Sequence, residues 1–204
     1  MSTRAAAAVD KRRMILDAAV RVFARQGYHT CRVADIADDA GVAYGLVYHY
    51  FGSKDEILDT LFLERWEVLL VAIADVDGRD GPAEEKLRAV AQFIFGSYAH
   101  DPDLMQVIIV EVTRAASTFG RTHLPKIREA YSGISQIVSR AQAAGELRAD
   151  VPAEFVAMAF YGAVEQVLTG WIFDGLRASV EQSEEASTLI VETICGGLRL
   201  NGGS

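Results

Sequence analysis

Val33-Ala-Asp-Ile-Ala-Asp-Asp-Ala-Gly-Val-Ala-Tyr-Gly-Leu-Val-Tyr-His-Tyr-Phe51 is the stretch on which the fold turns. Val33, Ile36, Ala37 and Ala40 recur at spacings of three and four, one face of a short helix. Gly41-Val-Ala43 breaks that helix in a tight turn. Tyr44–Tyr50 reads as a second short helix with Val47 and Phe51 inward, and Ala37 and Val42 can pack the two helices together. Helix, short turn and helix within about twenty residues is the helix-turn-helix arrangement.

Such a unit sets its second helix into the major groove of DNA. Tyr44, Gly45, Tyr48 and His49 fall on the outer side of that helix. Tyrosine hydroxyls donate to phosphate oxygens, a glycine lets a backbone N–H come close, and helix N-terminal amides favour anions. Lys54 adds a positive charge nearby. Tyr50 can face either way.

Outward from this stretch the chain keeps a helical period. Ile15, Ala18, Ala19, Val22 and Phe23 share a face of a first helix that Gly27 closes, with Arg12, Arg21 and Arg25 elsewhere on it. Ser53-Lys-Asp-Glu56 matches the capping box S-x-x-E and opens a long fourth helix to about Asp75. Asp77-Gly-Arg-Asp-Gly-Pro82 is a linker. Helices are then expected over about 83–99, 103–116, 122–144, 152–174 and 183–200. Sustained period-2 alternation and Asn-Gly or Asp-Gly hairpins between β-branched runs are missing. The expected fold is all-α, about nine helices, with residues 1–55 as a DNA-binding domain and residues 56–204 as a helical bundle.

The 204 residues carry a net charge of −8, which argues at first against nucleic acid. The charge is uneven, however. Residues 1–55 hold eight Lys/Arg against six Asp/Glu, and residues 56–204 hold twelve against twenty-two. A mildly basic head on an acidic body can place the phosphate-facing surface at one end. Cys31 and Cys195 cannot make a disulfide framework and read as free thiols of a reducing compartment. The N-terminal stretch lacks a secretory signal pattern, so a cytoplasmic protein is expected. Phe155–Phe173 is apolar but holds Glu165 and Gln166 at its centre, which favours a helix buried in a protein interface over a membrane span.

Residues 11–58 resemble the DNA-binding domain of the TetR family of bacterial transcriptional regulators. The resemblance rests on Ile15-Leu-x-Ala-Ala, Phe23-Ala-x-x-Gly-Tyr28, Val33-x-x-Ile-Ala-x-x-Ala-Gly-Val42, Gly45-x-x-Tyr48, Tyr50-Phe51 and Lys54-x-x-x-Leu58. It implies phosphate contacts at Gly45 and Tyr48, base-reading positions at Ala43, Tyr44 and His49, a phosphate lysine at Lys54 and a backbone contact at Arg32. Three departures stand out. Cys31 replaces the family's usual threonine and is a poor helix cap, with Thr30 a substitute in shifted register. Ala43 and Tyr44 replace serine and a polar residue, and Leu46 replaces threonine. Few groups remain to hydrogen-bond base edges, so readout shifts toward thymine methyls and DNA shape.

The resemblance further implies an effector cavity and a dimer interface in the body. Within the family the body is similar to acyl-coenzyme A-responsive regulators of fatty-acid degradation. The features are Glu111-Val-Thr-Arg114, Arg140-Ala-Gln-Ala-Ala-Gly-Glu-Leu147, and Gly162-Ala-Val-Glu-Gln166 with Thr169-Gly-Trp171. The expected pocket residues are Trp66, Phe93, Leu104, Ile108, Arg114, Tyr161 and Glu165. Few buried polar candidates means a lipophilic effector. Arg114, Arg121, Lys126 and Arg128 could meet phosphates, or form a basic edge paired with nearby acids. Gly162, Gln166, Thr169, Ile190 and Ile194 are expected at a homodimer interface, a four-helix bundle from two chains. Two recognition helices would then sit roughly 34–36 Å apart on a palindromic double-stranded operator.

The expected function is a repressor released from DNA by a hydrophobic effector such as a long-chain acyl-CoA. A regulator of efflux or another pathway with a different hydrophobic ligand is the alternative. An enzyme is disfavoured, because G-x-S-x-G, H-E-x-x-H and phosphate-loop motifs are absent. His100 with Asp101 and Asp103 fits a helix start better than a metal site. A pure protein-interaction module would carry an acidic recognition face, and Asp35, Asp38 and Asp39 lie on the preceding helix instead. No cofactor, metal or membrane partner is expected.

Overall fold

The structure, a computed structural model, describes residues 3–111, 119–176 and 178–199. Among these residues there are nine α-helices and no strand: α1 (Thr3–Gln26), α2 (Val33–Ala40), α3 (Tyr44–Tyr50), α4 (Lys54–Asp77), α5 (Ala83–His100), α6 (Pro102–Gln106), α7 (Phe119–Ala143), α8 (Ala153–Phe173) and α9 (Val180–Leu198). A π-helical turn, Val107–Glu111, follows α6 directly. The chain forms two compact units. Unit 1 runs to Arg65 and takes in the described residues from Asp103 to Glu111. Unit 2 holds Trp66–Pro102 and the described residues from Phe119 onward.

Unit 1 is built on the periodic face of α1. Ile15, Ala18, Ala19, Val22 and Phe23 are buried, together with Ile36 and Ala37 of α2, Val47 of α3, Phe51, and Ile57, Leu58, Leu61 and Phe62 of α4. Gly41 ends α2 with φ +64°, a left-handed conformation that a Cβ would strain. Its neighbour Val42 returns an N–H to the Ala37 carbonyl at 3.0 Å, which sets the turn between α2 and α3. Arg21 pairs with Asp39 at 2.6 Å and Arg25 with the same carboxylate at 3.5 Å, tying α1 to α2. Arg12 reaches Glu64 at 2.8 Å and lies 5.4 Å from the Phe51 ring centroid.

Several boundaries differ from the sequence expectation. Neither Cys31 nor Thr30 caps α2. Arg32 flanks it, and its backbone N–H donates to the Asp35 carboxylate at 2.7 Å. Thr30 points backward, its hydroxyl donating to the carbonyls of Gln26 and Gly27, and the buried Cys31 thiol donates to the Tyr28 carbonyl. Half of the capping box at α4 forms as expected. The Glu56 N–H donates to Ser53 Oγ at 3.1 Å, but the Glu56 carboxylate accepts from Gly52 rather than Ser53, at 2.7 Å. The helix expected over 103–116 turns into a π-turn across Val107-Ile-Ile-Val110, where consecutive β-branched side chains crowd an α-helical turn. The last helix starts three residues early, because Ser179 and Gln182 form a reciprocal capping box.

In unit 2, α5 packs most extensively on α9, and α7 on α8. Leu87, Val90, Ala91 and Phe95 of α5 meet a core shared with Ile134, Val138, Val156, Phe160, Val164, Leu168, Val191 and Cys195, all buried. The Arg148 N–H donates to the Leu198 carbonyl at 2.8 Å, fastening the loop after α7 to the last turn of α9. By length and apolar content α8 could cross a bilayer. It buries Val156, Ala157, Phe160, Val164 and Leu168 in unit 2 and leaves Phe155, Met158 and Phe173 exposed.

Candidate DNA-reading helix and effector site

The first candidate site is the outer face of α3. Val47 is fully buried and anchors the helix. Tyr44 and Tyr48 are 53% and 44% exposed, large values for aromatic side chains with one apolar face each. Their rings meet edge to face with centroids 5.0 Å apart, and their hydroxyls hydrogen-bond at 3.2 Å. One hydroxyl proton is used in that bond and the other stays free to donate outward. The bond to Tyr44, and then partial desolvation, raise the Tyr48 pKa above the ordinary tyrosine value, so the phenol stays protonated. Ala43, Gly45 and His49 are exposed beside them, and Tyr50 is half-buried. A Cβ at Gly45 would meet nothing within 4 Å. The protein's own packing therefore does not require a glycine there.

Arg32 is exposed at the start of α2. Lys54 is placed differently from a free surface lysine. Its Nζ donates to the carbonyls of Tyr28 and Cys31, the latter at 2.9 Å, and lies 4.5 Å from the Tyr28 ring centroid. It fastens the α1–α2 turn to the start of α4. An ammonium has three donors, so one remains.

The second candidate site lies within unit 2. Trp66 and Tyr161 have ring centroids 6.1 Å apart, and Tyr131 meets Tyr161 edge to face at 5.3 Å. The Trp66 indole N–H donates to the Lys126 carbonyl at 2.8 Å. Glu165 follows Tyr161 by one turn of α8, and burial raises its carboxyl pKa. Burial, and next the Glu165 charge, raise both tyrosine pKa values, that of Tyr161 well beyond the ordinary range. Trp66, Tyr161 and Glu165 of the expected pocket are thus brought together. Phe93 is half-buried on α5 in the same unit, whereas Leu104 (half-buried) and Ile108 (buried) belong to unit 1. Arg114 lies outside the described residues, as does the Arg121 side chain. Lys126 pairs with Glu67 at 3.1 Å and Glu129 at 3.3 Å, and Arg128 is exposed. Tyr131 was not expected here. The sequence signal for it is its spacing of four from Ile127 and three from Ile134 on α7, a pattern that reads equally as plain core.

Among the expected interface residues, Gly162 and Gln166 are exposed and Thr169, Ile190 and Ile194 half-buried. Phe155, Gly162, Gln166 and Phe173 fall at helical spacing along one side of α8. Among the described residues no group of three or more His, Cys, Asp or Glu side chains is placed to hold a metal ion.

Residues 83–194 match the tetracyclin repressor-like C-terminal domain, and residues 15–61 match the bacterial regulatory proteins of the tetR family. The chain belongs to the TetR family. This TetR chain is 30% identical over 161 residues to the fatty acid metabolism regulator protein of Bacillus subtilis, covering 78% of this chain and 82% of that one. Its fold is shared with the transcriptional regulator FadR of B. subtilis, solved in complex with stearoyl-CoA, at a TM-score of 0.82 and 25% identity. That match covers 91% of this chain and 98% of the other. The fatty acid degradation regulator FadR of Bacillus halodurans superposes with a TM-score of 0.84 and 25% identity, over 94% and 97% of the two chains. The protein is a TetR-type transcriptional regulator, not an enzyme, and stands close to fatty acid metabolism regulators.

Proposed function

We propose that this regulator is a cytoplasmic repressor that binds a palindromic operator as a homodimer and is released by a lipophilic effector, a long-chain acyl-CoA. Its genes would serve fatty-acid metabolism. The observation that carries the DNA half is the exposed Tyr44–Tyr48 pair on α3, with a free phenolic proton and an open Gly45 beside it. Tyr48 and Gly45 would contact phosphate, and Ala43, Tyr44 and His49 would face base edges. Arg32 would touch the backbone, and the remaining donor of Lys54 would reach phosphate. In this reading residues 1–55 bind DNA and residues 56–204 bind effector and partner.

The effector half draws on the stearoyl-CoA bound by the B. subtilis relative and on the Trp66–Tyr161–Glu165 cluster in unit 2. The dimer half draws on the exposed apolar side of α8, through Phe155, Gly162, Gln166 and Phe173, with Thr169 and with Ile190 and Ile194 of α9. A second copy covers that face as a four-helix bundle. The effector shifts the dimer toward a state that binds DNA less well, by no more than its differential affinity for the two states.

The test is binding to the DNA upstream of the protein's own gene, at fixed salt, with and without stearoyl-CoA. Binding that falls steeply with salt and is abolished by stearoyl-CoA supports the reading. Binding that ignores stearoyl-CoA removes the acyl-CoA effector and leaves the regulator. Failure to bind any duplex in a random-sequence selection removes the operator reading.

A further inference from the structure

Two charges of opposite sign meet on one buried tyrosine at the start of α4. The Tyr28 ring lies 4.5 Å from the Lys54 ammonium, and the Tyr28 hydroxyl donates to the Asp55 carboxylate. Burial, and next the bond to Asp55, raise the Tyr28 pKa, so the phenol stays protonated and keeps donating. Lys54 spends two donors on the Tyr28 and Cys31 carbonyls, which hold the ammonium in place. Asp55 is exposed. It differs from Asp17 and Asp39, whose carboxylates meet Arg13 and Arg21 of α1 at 2.8 and 2.6 Å. Its own partner is a neutral hydroxyl, so its charge is not offset by an arginine and acts on whatever Lys54 faces.

We propose that Asp55 is a specificity-determining residue: it shields the Lys54 charge from loosely held DNA, so that the protein separates its operator from other duplexes more sharply than phosphate contacts alone allow. The inference rests on the phosphate role of Lys54 given above and adds a residue that works against it. A lone ammonium attracts the phosphates of any sequence over about 8–10 Å. With a carboxylate fixed beside it, its field falls off faster with distance. A phosphate docked on the remaining donor of Lys54 still gains a charge-assisted bond. A duplex held across a layer of water gains little and meets the carboxylate as well. Such a repulsive element lowers both affinities but lowers the non-specific one more. A single charge counts here, because residues 1–55 carry only two more cations than anions, Asp55 included.

The experiment measures binding of the full-length protein to two duplexes by fluorescence anisotropy, between about 50 and 200 mM salt. One duplex is enriched by the wild-type protein from a random library, and the other is a scrambled version of it. Asp55→Asn removes the charge and keeps an acceptor for the Tyr28 hydroxyl. It should bind the scrambled duplex about three- to tenfold tighter, with a salt slope steeper by up to about 0.9, and the enriched duplex no more than about twofold tighter. Its melting temperature should match that of wild type. Asp17→Asn makes the same charge change beside Arg13 and should leave the ratio of the two affinities as it was. An equal gain on both duplexes, no gain on the scrambled one, the same gain from Asp17→Asn, or a wild-type protein that enriches no sequence would overturn the proposal. Lys54→Met separates this failure from that of the reading beneath it. If it keeps the wild-type salt slope, the phosphate role of Lys54 falls and the role of Asp55 with it. If it flattens the slope while Asp55→Asn changes nothing, the role of Asp55 falls alone.

Discussion

The Lys54 ammonium stands 4.5 Å from the centroid of the Tyr28 ring and donates to the Tyr28 carbonyl. Its second bond, to the Cys31 carbonyl, closes the turn that presents α2 and α3. Lys54→Met should therefore cost stability, about 1–2 kcal/mol in urea unfolding, as expected for bonds from a charged donor that is partly exposed. A variant as stable as wild type that lost only DNA affinity would make Lys54 a plain phosphate lysine.

Tyr48→Phe should weaken binding to all duplexes alike, by about tenfold, because it removes a phosphate donor and carries no base information. Tyr44→Ala should instead change which sequences a random-library selection enriches. Equal effects on every sequence would exchange the two roles.

Two helical glycines should respond oppositely to substitution. A Cβ on Gly162 meets nothing within 4 Å, whereas one on Gly133 would lie 2.8 Å from Ile73 Cγ2. Gly162→Leu should keep the single chain folded, helped by about 1 kcal/mol of helix propensity, yet yield monomers in sedimentation if a partner covers that face. Gly133→Ala should gain no such stability, since Ile73 is β-branched and cannot turn aside freely. A dimeric Gly162→Leu protein would move the interface elsewhere.

Glu165 should give unfolding a pH signature. Burial raises its pKa in the folded state above the ordinary carboxyl value near 4.5. The folded protein then holds a proton that the unfolded chain has released, so this residue's contribution to stability is full below pH 4.5 and is lost as pH rises through the folded-state pKa. Glu165→Gln should be more stable than wild type at pH 7–8, with the gain vanishing toward pH 4. Thermal melts across that range measure it, and a pH-independent difference would contradict the assignment.

The helical period carried most of the fold. Val47 and Phe51 could be placed inward because three- and four-residue spacing leaves few choices on a seven-residue helix. The π-turn at Val107–Glu111 was hidden, because its apolar run fits any helical winding. The early start of α9 is written in Ser179-x-x-Gln182, a capping box that the longer polar stretch after it masks. At the sites, composition showed which side chains had the right chemistry but not how they would be used. Lys54 looked like a surface charge until its carbonyl partners were seen. Tyr131 carries no distinguishing signal in the sequence, because one aromatic on a helix face says nothing about the acid near it on another helix.

The packing of α5 on α9 joins an early and the last helix of unit 2, and the bond from Arg148 to Leu198 fastens the middle of the unit to the same end. On the ribosome this sets an order of events. The body cannot close until residue 198 has left the exit tunnel, at about 5–20 residues per second several seconds after α5 has emerged. During that interval α5 must wait with Leu87, Val90 and Phe95 uncovered, so the nascent chain stays open to chaperones and to aggregation until α9 has emerged.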